Sequence, residues 1–124
     1  MGFTAKQQRL AMEIAAKVRA EYWSEFGYVE SLCKDVSNDI MVLLKAAGTV
    51  CRLECGFVEI DEPDPECFED GQYMAVHFWV EIGGPNGWVV DATADQFNHM
   101  IRGETFPQII VSQYKDLPRH NRGR

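Results

Sequence analysis

The chain has 124 residues, 46% of them hydrophobic, which suffices for one compact domain with an apolar core. Twelve basic residues against nineteen acidic ones give a formal net charge of −7, a balance that argues against nucleic acid and anionic lipid as partners. No apolar run approaches the ~18 residues of a membrane span and the N-terminus lacks a signal-peptide core, so no membrane partner and a cytoplasmic location are expected.

Residues 4–23 carry helical periodicity, with Ala11, Ile14, Ala15, Val18 and Tyr22 on one stripe. Thr4 and Gln7 have the spacing of a capping box, and Gly27 breaks the pattern. A second helix is expected from Ser31 to Ala47, with Val36, Ile40, Leu43, Leu44 and Ala47 buried and Gly48 ending it. Ser31 as its N-cap would put Cys33 at the second helical position. From Thr49 the period becomes strand-like through Ile60. Residues 61–71, acidic and holding two prolines, read as an exposed loop.

Residues 73–82 form a strong strand pattern, GGPNG a turn, and residues 88–93 a second strand. A short helix is expected in residues 94–103 and an edge strand in residues 107–114, with Pro107 at its start. The polar, basic end KDLPRHNRGR reads as a frayed terminus. Two helices followed by consecutive antiparallel strands predict a single α+β domain over residues 1–124, with the N-terminal helices packed on the sheet.

Four cysteines, Cys33, Cys51, Cys55 and Cys67, are expected as free thiols in a chain without a secretory signal. Cys51 and Cys55 would share one face of a strand about 13 Å apart, too far for one tetrahedral ion, so no metal is assigned. Cys33 offers more. A thiol in a helix's first turn has free backbone N–H groups and the positive end of the helix dipole beside it, both favouring thiolate.

A base and its orienting acid come from the predicted hairpin. If Ile82 pairs with Asn86 around a Gly83–Gly84–Pro85 tip, His77 falls opposite Asp91, with Cβ atoms about 4.5–5.5 Å apart. The carboxylate would then hold one imidazole nitrogen and turn the other outward. Cys33, His77 and Asp91 thus form a candidate nucleophile, base and orienting acid. Trp23 and Tyr28 are candidates for a further oxyanion donor. Taken singly, each residue also has a plainer reading: a small buried hydrophobe, a structural histidine, a turn-forming aspartate.

The segments SLCKDVSNDIMVLLKAAGTVCRLECGFVEI and VHFWVEIGGPNGWVVDAT resemble the transglutaminase-like, papain-related superfamily of cysteine enzymes. The likeness spans roughly residues 31–60 and 73–98, and DATADQF is similar to small bacterial and viral members. It implies a papain-like core with Cys33 as nucleophile, His77 as general base, Asp91 as orienting acid and Gln96 lining the cleft. Phe78, where a small residue is more usual, and Ala92, where proline is common, depart from the pattern. The expected activity is acyl transfer through a thioester: hydrolysis of an amide or ester, deamidation or transamidation of a peptide, protein or small acyl substrate, without a cofactor. A non-catalytic binding or assembly module on the same fold is the alternative, and a metal-binding protein using cysteine and His77 the third reading.

Overall fold

A computed structural model describes residues 3–29, 31–83 and 87–122. Two α-helices, α1 (Ala5–Phe26) and α2 (Cys33–Ala46), precede an antiparallel five-stranded sheet. Its strands are β1 (Cys51–Glu59), β2 (Met74–Ile82), β3 (Trp88–Asp91), β4 (Ile110–Gln113) and β5 (His120–Asn121), in the spatial order β4-β3-β2-β1-β5. This is the α+β architecture expected of helices followed by antiparallel strands.

The Thr4–Gln7 capping box is formed reciprocally, and Gly27 caps α1 in a left-handed conformation at φ 76°. The helix therefore runs three residues beyond Trp23. At α2 the expectation needs correcting, because Ser31 is not the cap: Leu32 is, without a capping side-chain bond, and Cys33 is the first helical residue. Ser31 instead adopts φ 67°, a conformation uncommon for a residue with a side chain. Leu43 and Ala47 are exposed rather than core, and Ser37 is fully buried.

Directly paired residues share a sheet face, so the β1–β2 register divides the core. Cys51, Ile82 and Val80 face the helices with Val36, Ile40, Leu44, Val18 and Val90. On the other face, Val58 and Ala75 pack with Phe97, Met100, Phe106 and Ile110, beneath a 3-10 segment at Ala94–Met100. His77 and Trp79 lie on this second face by alternation along β2.

The hairpin register differs from the expectation by two residues. Ile82 pairs with Trp88, and Val80 with Val90; most of the predicted GGPNG turn lies outside the described residues. A shift of two leaves every side chain on its face, so His77 and Asp91 become diagonal neighbours. The β2–β3 ladder stops at Val80. Next to it the first turns of α2 meet the vacated edge of β2, and Ser37 Oγ donates to the Phe78 carbonyl at 3.1 Å.

Residues 115–122 of the C-terminal segment are not frayed, and the last two residues of KDLPRHNRGR lie outside the described residues. His120 and Asn121 pair with Val58 and Phe57 of β1. Arg122 donates to both carboxylate oxygens of buried Glu81 at 2.8 and 2.9 Å and lies over the Tyr114 ring. A short strand lacking hydrophobic alternation is thus secured by side-chain pairing instead.

Candidate active site

Asp91 ends β3 with its side chain fully buried, and all four of its acceptor positions have donors nearby. Oδ1 accepts from the Thr93 backbone N–H at 3.0 Å and lies 3.4 Å from the Thr93 hydroxyl. Oδ2 meets His77 Nε2 at 2.7 Å and His120 Nε2 at 2.8 Å. Burial alone would raise the Asp91 pKa. The His77 charge and hydrogen bonds from both histidines outweigh it, holding the carboxyl well below the usual range.

The same competition runs in reverse at His77. Burial pushes the imidazole down, but the Asp91 charge and hydrogen bond, with a contribution from Cys33, carry it up to about 9. With Nε2 on Asp91, its other ring nitrogen, Nδ1, is buried and has no closed hydrogen bond. That nitrogen is available for chemistry.

Cys33 opens α2 half-buried. Burial raises its thiol pKa; hydrogen bonding and charge from His77, then the Phe78 backbone N–H, outweigh burial and leave the pKa lowered. The thiol therefore senses His77 while Nδ1 remains without a tightly formed bond. The Phe78 group is free because β3 has left that edge of β2. Local topology thus brings Cys33, His77 and Asp91 together from three elements.

The 92–96 segment is braced from two sides. Arg19, largely buried on α1, donates to the Ala92 carbonyl at 2.7 Å and bidentately to Asp95 at 2.7 and 2.9 Å. Gln96 accepts from the Ser31 N–H at 3.3 Å and donates to the Thr93 carbonyl at 3.0 Å. Its amide therefore ties the approach to α2 to the residues after Asp91. Trp23 and Tyr28 are 53% and 46% exposed. Trp23 lines a groove with Arg19, Gln108 and Ile109, while Tyr28 lies obliquely 6.2 Å from the Phe26 ring.

His120, Ser37 and Arg19 escape sequence reasoning. Arg19 interrupts an otherwise small apolar stripe, and Ser37 lies one turn after Cys33 on its helix; either is a weak signal. His120 lies 29 residues from Asp91 in a polar run with no hydrophobic period, so nothing local marks it.

Among the described residues, His77, Asp91 and His120 form the grouping whose ligand atoms fall close enough for a metal ion, within 4.8 Å of one another. Both Nε2 atoms already point at one carboxylate oxygen. An ion would have to displace those bonds inside a sealed site. Cys51 is buried, whereas Cys55 and Cys67 are exposed, and no metal grouping among the described residues includes them. No helix among those residues is long and apolar enough to cross a membrane. Comparison of the chain with protein-family models, curated proteins and solved structures finds no match.

Proposed function

We propose that the chain is a cysteine-dependent acyl-transfer enzyme of transglutaminase-like type, with Cys33, His77 and Asp91 as its triad. The observation that carries this reading is the lowered Cys33 thiol beside His77, whose Nδ1 has no tightly formed bond and whose Nε2 is held 2.7 Å from a buried carboxylate. The thiol proton resides on Nδ1 in the reactive form, leaving a thiolate–imidazolium pair.

The thiolate adds to an amide or ester carbonyl carbon, a C–S bond forms, and the carbonyl π pair moves to oxygen. First-turn N–H groups of α2, which have no partners within the helix, are suited to hold that oxyanion. The tetrahedral adduct collapses, its C–N or C–O bond breaks, and Nδ1–H protonates the leaving amine or alcohol. Water or an amine then attacks the thioester and gives its proton to Nδ1, and the sulfur leaves as thiolate. Trp23 and Tyr28 remain candidates for a further donor, whereas the Gln96 amide has both ends engaged in the resting state.

The test is the pH dependence of Cys33 alkylation, read by peptide mass spectrometry in wild type and His77→Ala. Exposed Cys55 and Cys67 act as internal references. Cys33 should react well below the pH at which the reference thiols do, and should lose that advantage without His77. Equal profiles in both proteins would sink the assignment. The histidine–aspartate grouping also supports a second reading, a buried metal site. Stoichiometric metal in the purified protein would favour it over the triad.

A further inference from the structure

We infer that His120 is a positioning residue for the proposed triad: it divides the Asp91 carboxylate between two imidazoles and so limits how tightly that carboxylate holds the His77 proton. This inference rests on the triad reading and adds a fourth residue to it.

The geometry is specific. Both Nε2 atoms converge on one oxygen, Oδ2, while Oδ1 is occupied from the Thr93 side. An acceptor shared by two donors binds each less strongly than it would bind one alone. Thr93 still fixes the plane of the carboxylate without His120, so the role concerns the division of charge more than gross orientation. His120 Nδ1 lies 3.2 Å from the Pro118 carbonyl, so both ring nitrogens face groups that can only accept. A neutral ring donates to one of them; only a doubly protonated ring donates to both.

The surrounding structure holds the ring in place. Trp79 meets it edge-on at 5.1 Å and Phe106 at 5.3 Å, while the His77 ring is 5.8 Å away. The Tyr114 hydroxyl donates to the His120 carbonyl at 3.0 Å. Gly56, paired with His77, lets β5 and Trp79 close over β1, where a Cβ would run into the Asn121 carbonyl and the indole. Among the described residues, the titratable and charged groups around the ring are Asp91 from β3, His77 from β2 with Cys33 of α2 beyond it, Tyr114, and the Glu81–Arg122 pair beyond Trp79.

The consequence is chemical. A base that must both take and return a proton works best when its pKa lies near the working pH. Asp91 alone, in a dry site, would make the His77 imidazolium a poor acid toward the leaving group. A second donor on the same oxygen moderates that effect.

Ring-labelled histidine NMR of the full chain tests this in wild type, His120→Phe and His120→Gln. In the Phe variant, which keeps an aromatic ring but no donor, the His77 titration should move to higher pH, by about tenfold in its proton affinity. Glutamine, with an N–H to offer, should restore most of the wild-type value. Unchanged or lowered His77 titration in the Phe variant would overturn the inference. Should that variant not fold, wild type still decides. Two downfield Nε2–H protons, and His120 resonances that shift as His77 titrates, are expected. Independent titrations, or missing Nε2–H signals as in a metal-bound cluster, would refute it. Failure here leaves the His77-dependent thiol reactivity intact, whereas failure of the triad reading abolishes that reactivity dependence itself.

Discussion

Replacing Asp91 by Asn keeps the shape of the site and removes its organising charge. In wild type, Oδ2 takes a hydrogen bond from His77 Nε2 and Oδ1 takes one from the Thr93 N–H. An Asn amide cannot copy this. With its oxygen toward Thr93, its NH₂ faces both imidazoles, forcing His77 to accept at Nε2 and carry its proton on Nδ1. The neutral ring then presents a donor where the thiol proton must go, the wrong tautomer for a base. With the amide flipped, its NH₂ meets the Thr93 N–H donor, and a buried bond is lost.

The size of the effect follows from His77. Its rise from 6.5 to about 9 corresponds to about 3 kcal/mol favouring the imidazolium. At pH 7 such a ring is almost wholly protonated, whereas one at its ordinary value is about one-quarter protonated. Burial drives the Asn-variant ring lower still. At Cys33, burial remains and the lowering influence of the imidazolium vanishes; relief from the Asp91 charge, the smallest cause, does not compensate. Cys33 alkylation by iodoacetamide at pH 6 should fall roughly 10²-fold, with its acid limb moved above neutrality. Stability should follow with a defined sign. The raised His77 pKa contributes fully below about 6.5 and fades as pH climbs through about 9. The depressed Asp91 pKa contributes above about 3.8 and fades in acid. These are one interaction seen from two partners, so the urea-melt gap between wild type and Asp91→Asn should peak between about pH 4 and 6.5 and shrink on both sides. An Asn variant that keeps the wild-type alkylation profile would refute this account of the site.

Two further outcomes probe the supports of the site. Gly56→Ala places a methyl against the Asn121 carbonyl and the Trp79 ring, so overpacking should cost about 1–3 kcal/mol in urea denaturation. It should also displace β5, visible as loss of the His120 Nε2–H signal; retention of both would show that the strand yields easily. Arg19→Met removes three hydrogen bonds from the segment after Asp91 and leaves largely buried Asp95 without its partner. A loss of about 2–4 kcal/mol is expected, with lowered Cys33 reactivity; an unchanged melt would mean the pair contributes no net stability.

What was legible in the sequence followed from periodicity. Capping at Thr4, the glycine stop at Gly27 and the strand alternation around His77 are local signals, and each element formed where its pattern stands. The hairpin register lies two residues from the one the loop length predicts, and a period of two makes such an even shift harmless to facing. His77 and Asp91 therefore meet diagonally, through 2.7 Å side-chain contact, and not in direct opposition.

His120 shows where that reasoning stops. Its strand is two residues long, lacks apolar alternation, and is defined by a distant partner, Val58. No window of the chain contains the reason for it. The reason lies in Asp91, whose sealed carboxylate needs more donors than His77 and Thr93 supply. A buried charge with an unfilled acceptor position implies a missing donor. That donor is His120, and the same polar stretch supplies Arg122 to buried Glu81, both in residues that hydrophobic patterning sets aside. At this site, the accounting of hydrogen bonds carries information that periodicity does not.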